Sequence, residues 1–261
     1  MALRVDDRAR PHGGLVRTLT LDRPERRNAL DPDHLRALMI ALEAAAADRL
    51  VRAIVITGHG SAFCAGYDLS NSLTPPADTD EAPDSLVMQT MAAVRACPLP
   101  IVGRVNGPAF GAGLELAISC DVRIAANSAS LCLPPAKLGI AYAPEGLARL
   151  VSLVGTSTAR RMTFAAEVIP AAQALTWRLV DEVVSPEELD TRVDSLANAF
   201  ADTAPLAVRA MKKTFNALEP SLSADARRVA EIDRLECYRS ADAAEGLQAF
   251  AEKRAARFSG R

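Results

Sequence analysis

Few residues in this sequence are suited to binding a metal or to forming disulfides. The three histidines, His12, His34 and His59, are dispersed, and none belongs to a His-Glu-x-x-His arrangement. The cysteines are odd in number and show no paired spacing: Cys64, Cys97, Cys120, Cys132 and Cys237. This pattern argues against a zinc site and a disulfide framework, and it predicts a reduced, cytoplasmic protein with mostly buried thiols.

Charge excess and long apolar runs are also lacking. The net charge is −2, and no basic stripe alternates with aromatic residues, so we expect neither nucleic acid nor an anionic membrane as the main partner. No apolar run reaches the roughly 18 residues of a transmembrane helix. Residues 1–11 are charged and lack the apolar core of a signal peptide. With 261 residues, 49% of them hydrophobic, the composition is that of a globular protein.

Apolar periodicity predicts strands and helices in alternation over most of the chain. Alternating or β-branched runs indicate strands at residues 16–21, 53–57, 101–105, 122–125, 130–133 and 181–184. Helical spacing indicates helices at residues 33–49, 85–96, 111–119, 146–154, 158–165, 187–202, 205–218, 223–239 and 242–257. The acidic, proline-rich stretch 70–84 reads as a loop.

The character of the chain changes near residue 186, after which only helices are predicted. We therefore divide it into an α/β core at residues 1–186 and a helical region at residues 187–261. Amphipathic faces in the helical region suit either packing over the core or contact with another subunit.

Two glycine-containing segments carry the strongest chemical signal. The first is AFCAGYDL at residues 62–69 and the second is NGPAFGAGLE at residues 106–115, each following a predicted strand. Such turns leave backbone N–H groups free, and two of them aimed at one point would stabilise a negatively charged oxygen. Taken singly, each segment is equally consistent with a plain turn, with Asp68 capping the helix that follows. A dinucleotide-binding loop is not expected, because neither Glu115 nor Leu116 supplies its third glycine.

Three side chains near these segments are candidates for acid–base chemistry. Glu115 lies in an apolar helix, where a carboxylate is costly unless it is paired, so the alternative to function is a buried ion pair with Arg104 or Arg123. Tyr142 and Glu145 precede the next predicted helix, and both are candidates for catalysis. The alternatives are that Tyr142 is a buried core residue and that Glu145 caps the helix. Near the C-terminus, Lys253 and Arg254 could bind a phosphate group or could lie on a solvated helix face.

Taken together, these segments resemble the enoyl-CoA hydratase/isomerase family, the crotonase superfamily. The resemblance extends over nearly the whole chain, through Arg23-Pro24, Asn28-Ala29-Leu30, residues 62–69 and 106–121, Lys137-Leu138-Gly139, residues 204–207 and 245–250, and Lys253-Arg254. It implies an α/β fold, a crotonase-like spiral of ββα units with a C-terminal helical trimerisation region. It also implies a homotrimer or a dimer of trimers.

The resemblance also implies an acyl-CoA thioester substrate, with coenzyme A as part of that substrate and no separate cofactor or metal. The thioester oxygen would lie between the N–H groups of Tyr67 and Ala112, forming an oxyanion hole. Coenzyme A contacts are implied for Asn28, Ala29, Leu30, Ala65, Gly66, Asp68, Leu69 and Lys253. The 70–84 loop is expected to shape the acyl pocket.

The sequence departs from the family's hydratases at the second of their two glutamates. Glu115 matches the first, but Pro135 stands at the second position, and Ala143 at a position where some isomerases have an acid. Pro135 and Tyr142 together resemble the methylmalonyl-CoA decarboxylase branch. Because hydration needs both a base for water and an acid for the α-carbon, we expect isomerase-like or decarboxylase-like chemistry on a thioester enolate. The alternatives are a true hydratase using Glu115 and Glu145, a non-catalytic coenzyme A-binding homologue, or a nicotinamide-dependent enzyme.

Overall fold

The computed structural model describes residues 3–11, 13–70, 82–218 and 222–260, and strands within them form two sheets. The strands are β1 (Leu3–Ala9), β2 (Leu15–Leu21), β3 (Val51–Gly58), β4 (Ile101–Val105), β5 (Ala109–Phe110), β6 (Val122–Ala126), β7 (Ser130–Cys132), β8 (Ile169–Pro170) and β9 (Glu182–Val184). The larger sheet has the order β1-β2-β3-β4-β6-β9, and all its neighbours are parallel except the β1–β2 pair. The smaller sheet has the order β5-β7-β8.

The helices fill the connections and the C-terminal third. They are α1 (Pro32–Ala47), α2 (Ser85–Ala96), α3 (Ala112–Ser119), α4 (Pro144–Val154), α5 (Thr156–Phe164), α6 (Ala171–Thr176), α7 (Pro186–Ala201), α8 (Pro205–Leu218), α9 (Ala224–Arg239) and α10 (Ala241–Ala251). Short 3-10 turns lie at Pro24–Arg26 and Pro135–Leu138. None of the helices in the described ranges is long and apolar enough to cross a membrane.

The chain winds through the two sheets in repeated units of two strands and a helix. In one unit β4 joins the large sheet, β5 joins the small sheet, and α3 follows. An isolated bridge between Cys64 and Ala109 makes the segment after β3 the equivalent short strand of the preceding unit. This arrangement confirms the predicted α/β spiral.

Both faces of the large sheet are covered. Along β3, side chains alternate between two cores, because successive residues of a strand point to opposite faces. Ile54 and Ile56 pack in the main core, whereas Ala53 and Val55 pack with residues of α7. Since α7 shares this second core with the strands, the division that we placed at residue 187 does not separate two packed units. The α/β core extends through α7, and only α8, α9 and α10 lie beyond it.

Two predictions at the chain ends need correction. We expected no element in residues 1–11, but β1 forms the outer strand of the large sheet, and its polar side chains are exposed as is usual at a sheet edge. The last helix was expected to reach residue 257 and instead ends at Ala251. After it Lys253 adopts φ +54°, and Arg254 donates to Glu245 at 2.6 Å. Most of the 70–84 loop, residues 71–81, lies outside the described residues.

The helix α8 is fixed to the sheet by a buried lysine. Lys212 Nζ donates to the Leu99 carbonyl at 2.9 Å and to Asp121 Oδ2 at 2.7 Å, and Asp121 also accepts from the Ile101 N–H. The contact therefore connects α8 to the chain on both sides of β4.

We predict that Lys212→Met lowers the free energy of unfolding by about 1–3 kcal/mol, because a partly buried carboxylate loses its cation. Urea unfolding of the purified protein measures the effect, and Lys213→Met at the neighbouring exposed position is the matched control. Equal stability of the two variants would contradict this role for Lys212.

Candidate active site

The turn after β3 is held in place by a short pairing with the segment before α1. The Leu30 N–H donates to the Gly66 carbonyl, and the Asp68 N–H donates to the Leu30 carbonyl, both at 2.8 Å. In this parallel bridge the N–H of the intervening Tyr67 points away from Leu30. It has no acceptor among the described residues.

The second turn lies directly against the first. Gly66 has φ +109°, and a Cβ atom there would lie 2.8 Å from the Phe110 carbonyl oxygen and 3.6 Å from the Ala112 nitrogen. Ala112 is the first residue of α3, so its N–H has no partner within the helix. Within the described parts of the chain this N–H, like that of Tyr67, has no acceptor. The two predicted donors therefore lie on adjoining turns.

Close backbone contact keeps the turns together. The Phe110 N–H donates to the Cys64 carbonyl at 2.9 Å, and a Cβ atom at Gly113 would lie 2.2 Å from that same carbonyl oxygen. No larger residue fits at Gly113 without moving one of the turns. Cys64 itself is buried, and burial raises the pKa of its thiol to about 12, so it is not a nucleophile.

Glu115 lies in the first turn of α3 and is 1% exposed. One of its carboxylate oxygens pairs with Arg149 of α4, and the other accepts the Tyr142 hydroxyl at 2.6 Å. The alternative that Glu115 forms an ion pair with Arg104 or Arg123 is wrong about the partner. Those arginines pair with Asp190 at 2.6 Å and with Asp181 at 2.7 Å, respectively.

Arg149 is the site residue that the sequence did not reveal. It lies 34 residues from Glu115, on the buried face of α4. Its guanidinium compensates the charge of a carboxylate that would otherwise be costly to bury. The same guanidinium lies 3.4 Å from the Ser119 hydroxyl. Local periodicity cannot distinguish such a buried arginine from one on a solvated face.

Tyr142 is held as a proton donor to Glu115. Burial raises the pKa of its phenol well above the usual range, with a further rise caused by the Asp84 carboxylate. Its hydroxyl is therefore protonated near neutral pH. Gly146, at the start of α4, makes room for it: a Cβ atom there would lie 2.4 Å from the Tyr142 ring and 2.9 Å from Glu115 Oε2.

The structure does not bring Glu145 to this pair. Its carboxylate pairs with Arg227 of α9 at 2.9 Å, and it lies in the first turn of α4, where acidic residues are favoured by the helix dipole. The hydratase alternative, in which Glu145 supplies a second carboxylate, gains no support from this geometry. Pro135 is buried in the 3-10 turn that precedes Gly139.

The residues expected to contact coenzyme A fall into two groups. Ala65 and Lys253 are exposed, and Ala29 and Leu69 are partly so, which leaves them accessible to a ligand. The remaining residues are buried, and all four make hydrogen bonds that hold the turns: Asn28, Leu30, Gly66 and Asp68.

Asn28 is the clearest correction. It is fully buried with φ +57°, and its amide donates to the carbonyls of His59 and Ala62 at 2.9 and 2.8 Å. Its side-chain oxygen accepts the Arg23 N–H at 3.0 Å. Asn28 and the equally buried Leu30 therefore shape the turn instead of lining a ligand surface.

Asp68 holds the end of the Gly66 turn. It accepts from Arg23 at 2.8 Å and from the Ser70 hydroxyl and N–H at 2.7 and 3.0 Å. Burial acts to raise the pKa of Asp68, but these hydrogen bonds outweigh it and hold the pKa below its usual value. Among the described residues, no group of three or more His, Cys, Asp and Glu side chains is arranged to hold a metal ion.

We predict that Asp68→Asn lowers the free energy of unfolding at pH 7 by about 1.5–3 kcal/mol, the usual contribution of a hydrogen bond to a charged group. Because the folded pKa is depressed, the contribution of Asp68 is present above the unfolded pKa of about 3.9 and is lost as pH falls through the folded pKa. Urea unfolding at several pH values should therefore show a flatter acid limb for the variant. An unchanged limb would contradict the assignment.

We also predict that Gly146→Ala destabilises the protein by about 1–3 kcal/mol through overpacking and weakens the hydrogen bond between Tyr142 and Glu115. Alanine at an open helical position would instead stabilise by about 0.5–1 kcal/mol. The sign of the change in melting temperature decides between the two cases. A rise would mean that Tyr142 and Glu115 do not pack against Gly146.

Comparison with known proteins places this geometry in a family. A family model described as enoyl-CoA hydratase/isomerase matches residues 12–261. A putative enoyl-CoA hydratase/isomerase of Bacillus subtilis is 36% identical over 244 residues, which cover 93% of this chain and 94% of the relative. A crotonyl-CoA hydratase of Syntrophomonas wolfei is 35% identical over 244 residues, covering 92% and 93%.

The fold agrees with the sequence comparison. A solved structure of methylmalonyl-CoA decarboxylase in complex with 2-nitronate-propionyl-CoA has a TM-score of 0.90 and 27% identity, covering 100% of this chain and 99% of that one. An enoyl-CoA hydratase/isomerase from Pseudoalteromonas atlantica T6c has a TM-score of 0.84 and 30% identity, covering 99% and 100%. The chain belongs to the enoyl-CoA hydratase/isomerase family of enzymes and has the crotonase fold.

Proposed function

We propose that this protein binds an acyl-CoA thioester and stabilises its enolate between the N–H groups of Tyr67 and Ala112. Support comes from the adjoining turns that carry these donors and from their lack of acceptors in the described residues. Two fixed backbone dipoles can stabilise a developing oxyanion without a metal or a charged side chain. The solved relative bound to a propionyl-CoA analogue supports this class of ligand.

The coenzyme A part of the substrate would contact the accessible residues of the predicted set. Ala29, Ala65 and Leu69 border the Gly66 turn, and Lys253 offers a cation after α10. Arg254 is less suited to a phosphate, because it already pairs with Glu245 and Glu252 at 2.6 Å. No separate cofactor is needed for enolate chemistry of this kind.

The arrangement of Glu115 carries the choice of reaction. Both oxygens of its carboxylate are engaged, one by Arg149 and one by Tyr142, so Glu115 and Tyr142 form one acid–base unit. Hydration needs a base that activates water and an acid that protonates the α-carbon. Since Glu145 pairs with Arg227 and Pro135 has no carboxylate, we favour isomerase-like or decarboxylase-like chemistry over efficient hydration.

One acid–base unit suffices for either favoured reaction. In decarboxylation the bond between the α-carbon and the carboxylate breaks and carbon dioxide leaves. The electron pair of the broken bond stays with the substrate and forms the enolate. The Tyr142 hydroxyl can then protonate the α-carbon and recover its proton from solvent, with Glu115 orienting it. In isomerisation the same unit removes a proton from one carbon of the acyl chain and returns it to another.

We also propose that the protein works in the cytoplasm as a homotrimer or a dimer of trimers. Support for association comes from large apolar side chains of α8 that are exposed in the single chain: Leu206, Met211, Phe215 and Leu218 are 76%, 53%, 67% and 73% exposed. Apolar surface of this kind is usually covered by a partner.

We predict that a panel of crotonyl-CoA, 3-enoyl-CoA and methylmalonyl-CoA shows faster isomerisation or decarboxylation than hydration. Glu115→Gln should reduce the favoured reaction roughly 100-fold or more and Tyr142→Phe roughly 10–100-fold, as expected for loss of a proton-transferring unit. Glu145→Gln should change it by less than about threefold. The measurement is kcat and KM for each thioester and variant.

Three results of this panel would contradict the proposal. Crotonyl-CoA hydration at ordinary enzyme rates, abolished by Glu115→Gln, would make the protein a true hydratase. A loss of activity in Glu145→Gln equal to that in Glu115→Gln would mean that Glu145 acts as the second catalytic carboxylate. Tight thioester binding without turnover of any member would identify a non-catalytic homologue.

A further inference from the structure

One face of α9 packs against residues from both parts of the candidate site. Leu235 and Tyr238 of this helix form a small apolar cluster with Ala82. Packed against the cluster are residues of the Gly66 turn and of the segment that leads to Tyr142: Tyr67, Leu69 and Ile140, together with Leu247 of α10. The cluster therefore contacts the residue that carries one proposed oxyanion donor, Tyr67, and the segment that leads to Tyr142.

A buried ion pair lies beside this cluster. Arg234 of α9 is 3% exposed and pairs with Asp84, the residue before α2, and with Glu231 at 2.7 Å. Its guanidinium carbon lies 5.6 Å from the centre of the Tyr238 ring. Within the described residues, then, the pair and the Tyr238 ring form one packed unit that joins α9 to the start of α2.

The electrostatics place this unit close to the reacting groups. The Asp84 carboxylate contributes to the raised pKa values of Tyr67, Tyr142 and Tyr238, although burial is the largest cause for each. These are all three tyrosines of the chain. The unit that contains Asp84 therefore packs through Leu235 and Tyr238 against Tyr67, one of the two proposed donor residues.

We propose that the Asp84–Arg234 pair, with Leu235 and Tyr238, closes the far end of the acyl pocket and restricts the substrate to short acyl groups. This inference rests on the proposed acyl-CoA function. A longer chain would have to displace the buried pair, and separating its partners would leave a desolvated charge. An ion pair packed against an aromatic ring is therefore a firmer wall than flexible aliphatic side chains.

The experiment compares the binding of two unreactive saturated thioesters, butanoyl-CoA and octanoyl-CoA, to the full-length protein by calorimetry. We expect the native protein to bind butanoyl-CoA at least tenfold more tightly than octanoyl-CoA. The double variant Asp84→Asn with Arg234→Met removes the buried pair, and the one carboxylate that loses its cation is Glu231, whose side chain is 36% exposed. It should reduce the preference for butanoyl-CoA over octanoyl-CoA at least tenfold by improving octanoyl-CoA binding.

A matched control is the double variant Asp225→Asn with Arg228→Met, which makes the same chemical changes on the exposed surface of α9. This control should have the same ratio of butanoyl-CoA to octanoyl-CoA affinity as the native protein. If the first double variant fails to fold, Leu235→Ala tests the same wall by shortening a buried side chain and should also favour octanoyl-CoA.

The outcomes separate the inference from the function on which it rests. The inference is contradicted if the native protein binds both thioesters with equal affinity. It is also contradicted if the Asp84→Asn, Arg234→Met variant changes both affinities equally. In either case the proposed acyl-CoA binding still stands. If the native protein binds neither thioester, the proposed function is overturned as well. A tenfold shift confined to octanoyl-CoA supports the wall.

Discussion

The burial of the Glu115 carboxylate is the constraint on which the rest of the site depends. A charge at 1% exposure is tolerated only with a counter-charge and hydrogen bonds, and α4 supplies the first through Arg149. The loop before α4 supplies Tyr142. The position of α4 on α3 is therefore dictated by electrostatics as well as by apolar packing, and Gly146 is the point where the two helices allow the Tyr142 ring and the carboxylate to meet.

The backbone donors depend on a different constraint, which is the absence of side chains. Gly66 and Gly113 let two turns approach until their peptide groups touch, and the pairing of Leu30 with the Gly66 turn fixes the direction of the Tyr67 N–H. Donors held in this way need no reorganisation when charge develops on a ligand. The buried residues Asn28 and Asp68 serve the same end by holding the loops on either side.

Local patterns in the sequence predict most of the elements but few of the contacts between them. The helices α2 and α8 begin and end at the predicted residues, because apolar spacing and flanking prolines are local signals. The partner of Glu115 could not be predicted in this way, since Arg149 meets it only after α4 packs on α3. Nor could the sequence show that Asn28 faces inward, because a polar residue in a turn is usually exposed. Arg234 reads as one charge among many on α9, and its burial depends on a carboxylate 150 residues away.

Within the proposed chemistry, stabilising the enolate and deciding its fate fall to different parts of the molecule. The two N–H donors lower the barrier to any reaction that passes through the enolate, so they do not discriminate between hydration, isomerisation and decarboxylation. Discrimination has to come from the groups that face the carbon atoms. Arg149 engages one oxygen of Glu115 and Tyr142 the other, so a water molecule would have to share an oxygen that already accepts a hydrogen bond. In hydration, water adds to the β-carbon in the step that forms the enolate, and this step needs a base that is free to activate the water. An enolate formed here by loss of a proton or of carbon dioxide meets the phenolic proton donor Tyr142, and protonation becomes its expected fate.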